Sequence, residues 1–318
     1  MRQSLRLFFA VLCLQHCAIS TAQNYPTRPI RFVISSAPGG PIDLLARPVG
    51  QKLSDNLGQP VIIEFKPGAD GIIGTDYVAK SAPDGYTLLV VGTAMTINPS
   101  IKKTLPYDTA KDFTPISLLA SADSVLVTHP SVPAGSVAEL IALAKSRPGK
   151  LNYGSTGATS RLGMELFLMM ADVNITHIPY KGAGPAIVDL VAGQIDTMWT
   201  SLPPSQPHIR AGKMRLLGVG GLKRSAALPD TPAVAETLPG FENTSQYGLV
   251  APSATPKPVI NLLNSQLQKI MPAPAIRESF NRAGFEPIWQ STDDAAAWLR
   301  KETAKWAAVV KAAKIEAE

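Results

Sequence analysis

Thiols are nearly absent from this chain. Of 318 residues only Cys13 and Cys17 are cysteine, and both stand near the start. That excludes a disulfide-stapled scaffold and a zinc site built from four thiolates. Histidine is scarce too, at 4 residues, so a zinc enzyme would have to lean on carboxylates. Charged residues make up 17% and aromatics 6%. A formal charge of +6 with so few aromatics is too weak for a nucleic-acid footprint. Catalytic signatures are missing as well. There is no Gly-x-Ser-x-Gly elbow, no His-Glu-x-x-His and no Walker loop. Beyond the first residues, no run is long and apolar enough to cross a bilayer.

What is present is apolar and punctuated. The chain is 45% hydrophobic, with 24 Gly and 28 Pro, enough to bury a sizeable core. Residues 1–22 read as a secretory signal. Arg2 and Arg6 precede the apolar stretch Leu7–Leu14, and Ser20-Thr21-Ala22 offers small residues for cleavage after Ala22. The alternatives are a membrane anchor and a lipoprotein on Cys17. The apolar stretch is far below the roughly 20 residues a span needs. Gln15 and His16 are bulky where lipoprotein signals want small residues. Losing this segment removes both cysteines and lowers the formal charge from +6 to +4. The remainder is expected to be a soluble, exported, thiol-free protein.

From Tyr25 short apolar runs alternate with helical stretches. Residues 30–34, 61–65 and 86–91 read as strands, and 41–57 and 72–80 as helices, with Leu44, Leu45, Val49 and Leu53 on one face of the first. A second round runs from 136 to 219, opened by Ser136 as an N-cap with Glu139 three residues on. Residues 220–244 read as irregular, 247–250 as a strand, and 256–270, 273–282 and 292–314 as helices. This rhythm predicts an α/β fold with mostly parallel sheets. The C-terminal helices are expected to pack back on the first unit. That makes lobe 1 discontinuous, 23–124 and 248–318, with 125–247 as lobe 2. The crossings near 120–128 and 240–248 are the expected hinge.

Four glycine-bearing loops join strands to helices. In Ser35–Asp43, Gly39 and Gly40 allow a tight turn before a helix start, whose free N–H groups suit an anion. Asp43 either complements the helix dipole or braces the loop or a ligand. Lys66–Gly74 has Gly-x-x-Gly-x-x-Gly spacing, which is not the dinucleotide pattern, and reads as a turn that packs a helix on the sheet. Tyr153–Ser160 offers hydroxyls and N–H groups for an oxyanion, or plain N-capping by Thr159 or Ser160. His177–Ala186 again runs from strand to helix. Such loops lie at the carboxyl ends of strands, where open α/β sheets bind ligands. His129, His177 and His208 are isolated in sequence, and His177 reads as a core residue or, paired with Ser155, as a base. No catalytic residue, metal ligand or cofactor is assigned.

At these loops the chain resembles the periplasmic receptors of tripartite tricarboxylate transporters, the Bug receptors. The matching stretches include Ala37-Pro38-Gly39-Gly40-x-x-Asp43, Pro67-Gly68-Ala69-x-Gly71-x-x-Gly74 and Pro83–Leu88. Pro148–Ser155, Pro179–Ala186, Asp189–Asp196, Leu228–Pro232 and Ala251–Pro256 match too, so the ordered set spans nearly all of the chain after the signal. The resemblance implies a two-lobe periplasmic-binding-protein fold (type II) that closes on a small carboxylate. The ligand would be held by backbone N–H groups, hydroxyls and water. The implied contacts are Ser36, Ala37, Pro38, Gly39, Gly40, Asp43, Thr93 and Met95 from lobe 1. From lobe 2 they are Ser155, Thr156, Gly157, Ser160, Tyr180 and Gly182, with Thr200, Ser201 and Tyr247 at the sides. The implied partners are a dicarboxylate, an amino acid or an aromatic acid, and a membrane permease, with the receptor itself a monomer. The competing readings are a sensor that presents its ligand to a signalling partner, and a hydrolase using Ser155 and His177. Three departures from the family pattern stand out. The loop after Ser155 is shorter, Arg161 stands where a His often precedes the Leu, and an acidic residue common after Thr200 is missing. Arg161 would be a cationic anchor or a solvated helix residue.

Overall fold

The computed structural model describes residues 25–317, apart from 181, 182, 226, 227 and 313. The expected signal, residues 1–22, lies outside the described residues, and so does Gly182. In chain order the first elements are β1 (Ile30–Ile34), α1 (Pro41–Leu57), β2 (Val61–Phe65), α2 (Ile72–Ala79), β3 (Thr87–Val91) and α3 (Ala94–Ile101). Next come β4 (Phe113–Thr128), α4 (Val137–Ser146), β5 (Asn152–Ser155), α5 (Ala158–Ala171), β6 (Thr176–Pro179) and α6 (Ala183–Val191). The chain ends with β7 (Thr197–Ser201), α7 (Leu202–Arg210), β8 (Arg215–Val219), β9 (Thr244–Pro252), α8 (Lys257–Ile270), α9 (Pro274–Arg282), β10 (Phe285–Pro287) and α10 (Thr292–Ala312). None of these helices is long and apolar enough to cross a membrane.

The strands follow the order β2-β1-β3-β9-β4-β7-β5-β6, with β8 and β10 also paired to β4. At one end β2, β1 and β3 are parallel, and at the other β6, β5 and β7 are parallel. Between them the ladder is antiparallel, so the sheet is mixed. The 16-residue β4 causes this: Phe113–Asp123 pairs with β9, and Ser124–Thr128 pairs with β7. Its composition hides it from pattern reading, because Ser, Ala and Asp interrupt the apolar alternation. The ladder slips next to Pro115, which has no N–H to donate.

Local chemistry explains most element boundaries. α1 starts with Pro41 in its first turn and stops at Gly58, in the left-handed conformation at φ 69°. Ser136 caps α4 by accepting from the Glu139 N–H at 3.2 Å, and Glu139 Oε2 accepts from Gly135 N–H. α3 escapes sequence reading because Pro99 lies inside it. Pro99 leaves the Met95 carbonyl without a helical donor, and the Thr109 hydroxyl reaches it at 3.5 Å.

Packing departs from expectation in two places. Leu45, Val49 and Leu53 are buried, but Leu44 is 45% exposed. The C-terminal helices also divide. α8 and α9 return to the first core through Ile260, Leu263, Leu267 and Phe280, which pack with Phe32 and Leu45. α10 instead lays Trp306, Val309 and Val310 into a cluster with Leu162, Phe167 and Trp199. Ile97 and Ile101 of α3 join that cluster, so it draws on both ends of the chain.

Candidate functional site

β1 lies between β2 and β3, so the chain steps to one side from β1 to β2 and then crosses back over β1 to β3. That creates a crevice at the carboxyl ends of β1 and β3. β5 sits between β6 and β7 in the same way. Residues following β1, β3, β5 and β7 line one cleft of about 1090 Å³.

Two uncapped helix starts open on it. α1 begins after Gly40 and α5 after Gly157, and no side chain caps either. The first internal bonds are Leu44 N–H to Gly40 and Arg161 N–H to Gly157, so the earlier N–H groups of each helix have no partner within it. Their donors and the helix dipoles favour an anion. Gly39 (φ 79°) and Gly157 (φ 137°) hold left-handed conformations. An added Cβ at either would meet nothing within 4 Å. Glycine at both is required by the turn, not by crowding.

Asp43 braces this loop. It accepts the Gly39 N–H at 2.9 Å and pairs with Arg47 at 2.7 Å, and it stands outside the cleft lining. On the opposite wall Ser160 Oγ accepts the Thr156 N–H at 2.7 Å and donates to the Gly157 carbonyl. The floor is made by β4 and β9, where Ser124 Oγ and Ser245 Oγ lie 3.3 Å apart. Thr93 Oγ1 accepts the Gln246 N–H at 3.2 Å and ties the start of α3 to β9. Burial pushes the Tyr247 hydroxyl up to about 12, with Ser245 partly offsetting it. Ser36 and Trp199 also line the cleft, and Ser36 Oγ and Trp199 Nε1 are buried with no hydrogen-bond partner among the described residues.

The cleft gathers most of the expected residues. Ser36, Ala37, Pro38, Gly39 and Gly40 line it on one side with Thr93 and Met95. Thr156, Gly157 and Ser160 line the other, and Thr200, Ser201 and Tyr247 border it as well. Ser155 and Tyr180 are not brought in. Ser155 is 4% exposed, and its Oγ bonds His177 Nε2 at 2.6 Å. His177 stacks on Tyr153, whose hydroxyl donates to Glu165 at 2.8 Å. Burial, then the Arg161 charge, depresses the His177 imidazole, with Glu165 opposing. Neither member of the pair lines the cleft. Tyr180 donates to Asp189 at 2.7 Å and ties the end of β6 to α6. Arg161 stands outside the lining, beside His177 and Tyr153.

Sequence reading missed one stretch of wall. Pro67, Gly68, Asp70, Gly71 and Thr75 line the cleft with Asn98. The packing role expected of this loop is also present: a Cβ on Gly74 would lie 2.8 Å from the Lys66 carbonyl and 2.9 Å from Ser35 Cα. A signal for the wall existed, since the loop follows β2 at the same sheet edge. Ser245 was legible too, because it shares a strand face with Tyr247. Among the described lining residues there is no Arg, Lys or His.

Comparison with known proteins agrees with this architecture. Residues 45–315 match the tripartite tricarboxylate transporter family receptor. BugT of Bordetella pertussis is 36% identical over 296 residues, 92% of this chain and 91% of that protein. An R. palustris protein solved with adipate superposes with a TM-score of 0.84 at 35% identity, covering 92% of this chain and all (100%) of that one. MatC from Rhodopseudomonas palustris with bound malate gives a TM-score of 0.79 at 30% identity, over 90% of this chain and 100% of its own. These receptors are solute-binding proteins rather than enzymes. By fold, cleft architecture and sequence, the chain belongs to the receptor family of the tripartite tricarboxylate transporters.

Proposed function

We propose that this protein captures a small organic acid in the periplasm and delivers it to the membrane permease of a tripartite tricarboxylate transporter. The observation that carries this is the pair of uncapped helix starts, α1 and α5, opening on one cleft whose described lining has no cationic side chain. Backbone donors and hydroxyls then do the work of an arginine. The relatives solved with adipate and malate support a carboxylate ligand.

The proposed lobes follow the β4 and β9 crossings. Residues 23–124 and 248–318 carry α1, and 125–247 carry α5. Closure brings the two helix starts onto the ligand, which holds the closed state through its higher affinity for it. The receptor acts as a monomer after export, with residues 1–22 removed.

The test is calorimetry and thermal unfolding with mono-, di- and tricarboxylates, amino acids and aromatic acids. A ligand at one hundred times its Kd adds about 2.7 kcal/mol of stability, a clear rise in Tm. If no acid in the panel releases heat or moves the Tm, the reading fails.

A further inference from the structure

A second cavity lies against β4, on the face turned away from the cleft. β4 changes its neighbours at one point. β9 and β10 pair with it up to Asp123 and Ala122, and β7 and β8 pair with it from Ser124 and Val125 onward. The continuous strand is therefore the pivot, since both sets of neighbours give way there. Alternate strand residues point to opposite faces. Ser124 lines the ligand cleft, so Asp123 beside it faces the other way, and so does Ser121. Ser121 and Asp123 instead line a cavity of about 820 Å³.

The walls of this cavity come from opposite lobes. Gln206 and Arg210 belong to α7 in lobe 2, and Gln268 and Arg277 to α8 and α9 in lobe 1. Gln206 is half-buried and the other three are exposed. Facing walls of this kind are not locked together as a close-packed core would be, so the gap between them is free to change width.

Two lobes that turn about one strand cannot close on both of its faces. The turn that narrows the cleft at Ser124 widens the cavity at Asp123, and the reverse turn narrows the cavity. We propose that this second cavity is a control site for capture: a group that fills it blocks opening of the cleft and raises the affinity for the acid without touching it. This rests on the lobe closure proposed above and adds a site to it. The coupling is reciprocal, because an acid that holds the cleft closed also keeps the cavity wide. Its size follows from populations. A receptor closed for only a fraction of the time has its apparent Kd raised by the inverse of that fraction, and a filler that enlarges the fraction lowers the Kd to match.

The test attaches a filler to one wall. Cys13 and Cys17 lie in the expected signal, so Gln268→Cys gives the exported protein a single thiol at an exposed helix position. The same sample is titrated by calorimetry before and after alkylation, with N-ethylmaleimide and with the bulkier pyrene maleimide. The probes are adipate, malate and the other acids of the panel above. The Kd should fall as the label grows, by about threefold or more for pyrene. Asn261→Cys is the control, about two turns earlier on α8, exposed and outside the cavity lining. Its Kd should be the same with and without label. If acids bind and labelled Gln268→Cys binds them no more tightly, this inference falls while the carboxylate reading stands. Small-angle scattering without any acid gives a second reading. Labelled Gln268→Cys should be more compact than the same protein unlabelled, and the Asn261→Cys pair should be alike. Equal profiles for the Gln268→Cys pair overturn the inference even where no acid binds. Comparing each variant with itself before labelling removes the effect of the substitution on folding.

Discussion

Ser155 Oγ lies 2.6 Å from His177 Nε2, and neither residue is among those that line the cleft. The hydroxyl that the family resemblance implies as a ligand contact here bonds a residue of β6. Its neighbours Thr156 and Gly157 are left to face the cleft.

The same bond has a pH signature. Burial and the Arg161 charge hold the folded His177 below the ordinary value of 6.5, so as pH falls the unfolded chain binds the proton first. Stability from this group is complete above 6.5 and is lost as pH drops below it. His177→Gln stays neutral and should lose less Tm than the parent between about pH 7.5 and pH 5. Equal losses in the two proteins would show that His177 does not contribute.

Gly39→Val and Gly157→Val are expected to abolish ligand binding without unfolding the protein. Both positions have positive φ and open space around the missing Cβ. A β-branched residue there is strained by about 1–3 kcal/mol and pulls the N–H groups out of line. Calorimetry reads the affinity and circular dichroism the fold. Retained affinity in both variants would place the ligand elsewhere.

Gly74→Ala should lower stability and weaken binding together. The new methyl meets backbone atoms of Lys66 and Ser35, neither of which can swing aside as a side chain can. Overpacking of this kind costs about 1–3 kcal/mol, and here the displaced strand end leads into the Ser36–Gly40 loop. Thermal unfolding and ligand titration check it. Unaltered affinity would mean that α2 moves and the loop does not.

Trp199 should report the ligand. Of the 4 tryptophans it alone lines the cleft, and its Nε1 has no partner. Ligand addition should change the intrinsic fluorescence, and Trp199→Phe should remove most of that change. A full signal in the variant would assign it to Trp289, Trp298 or Trp306.

Much of this was legible along the chain. The spans 30–34, 41–57 and 61–65 agree with β1, α1 and β2, because Gly and Pro punctuate them and their apolar periods are clear. The loops that line the cleft were legible as strand-to-helix turns. β4 and α3 were not. β4 draws its order from strands on both sides rather than from its own pattern, and α3 carries a proline that local propensity rejects.

Sequence by itself determined most of the strand–helix rhythm outside β4 and α3, the tight turn at Gly39 and the family. These rest on local sterics and on motifs read in order. Tertiary structure alone decided which way each loop residue faces. Thr156 and Ser155 are adjacent, yet one borders the cleft and the other bonds His177, a choice made by the β5–β6 register. It also decided that Asp70 and Asn98, 28 residues apart, meet in the cleft wall. Their meeting depends on α3 packing against the turn after β2, which no local pattern encodes. The scarcity of thiols and histidines excluded whole classes of chemistry, but only the fold showed that two uncapped helix starts and several hydroxyls meet in one cleft, with Asp70 the one acid among its described lining residues.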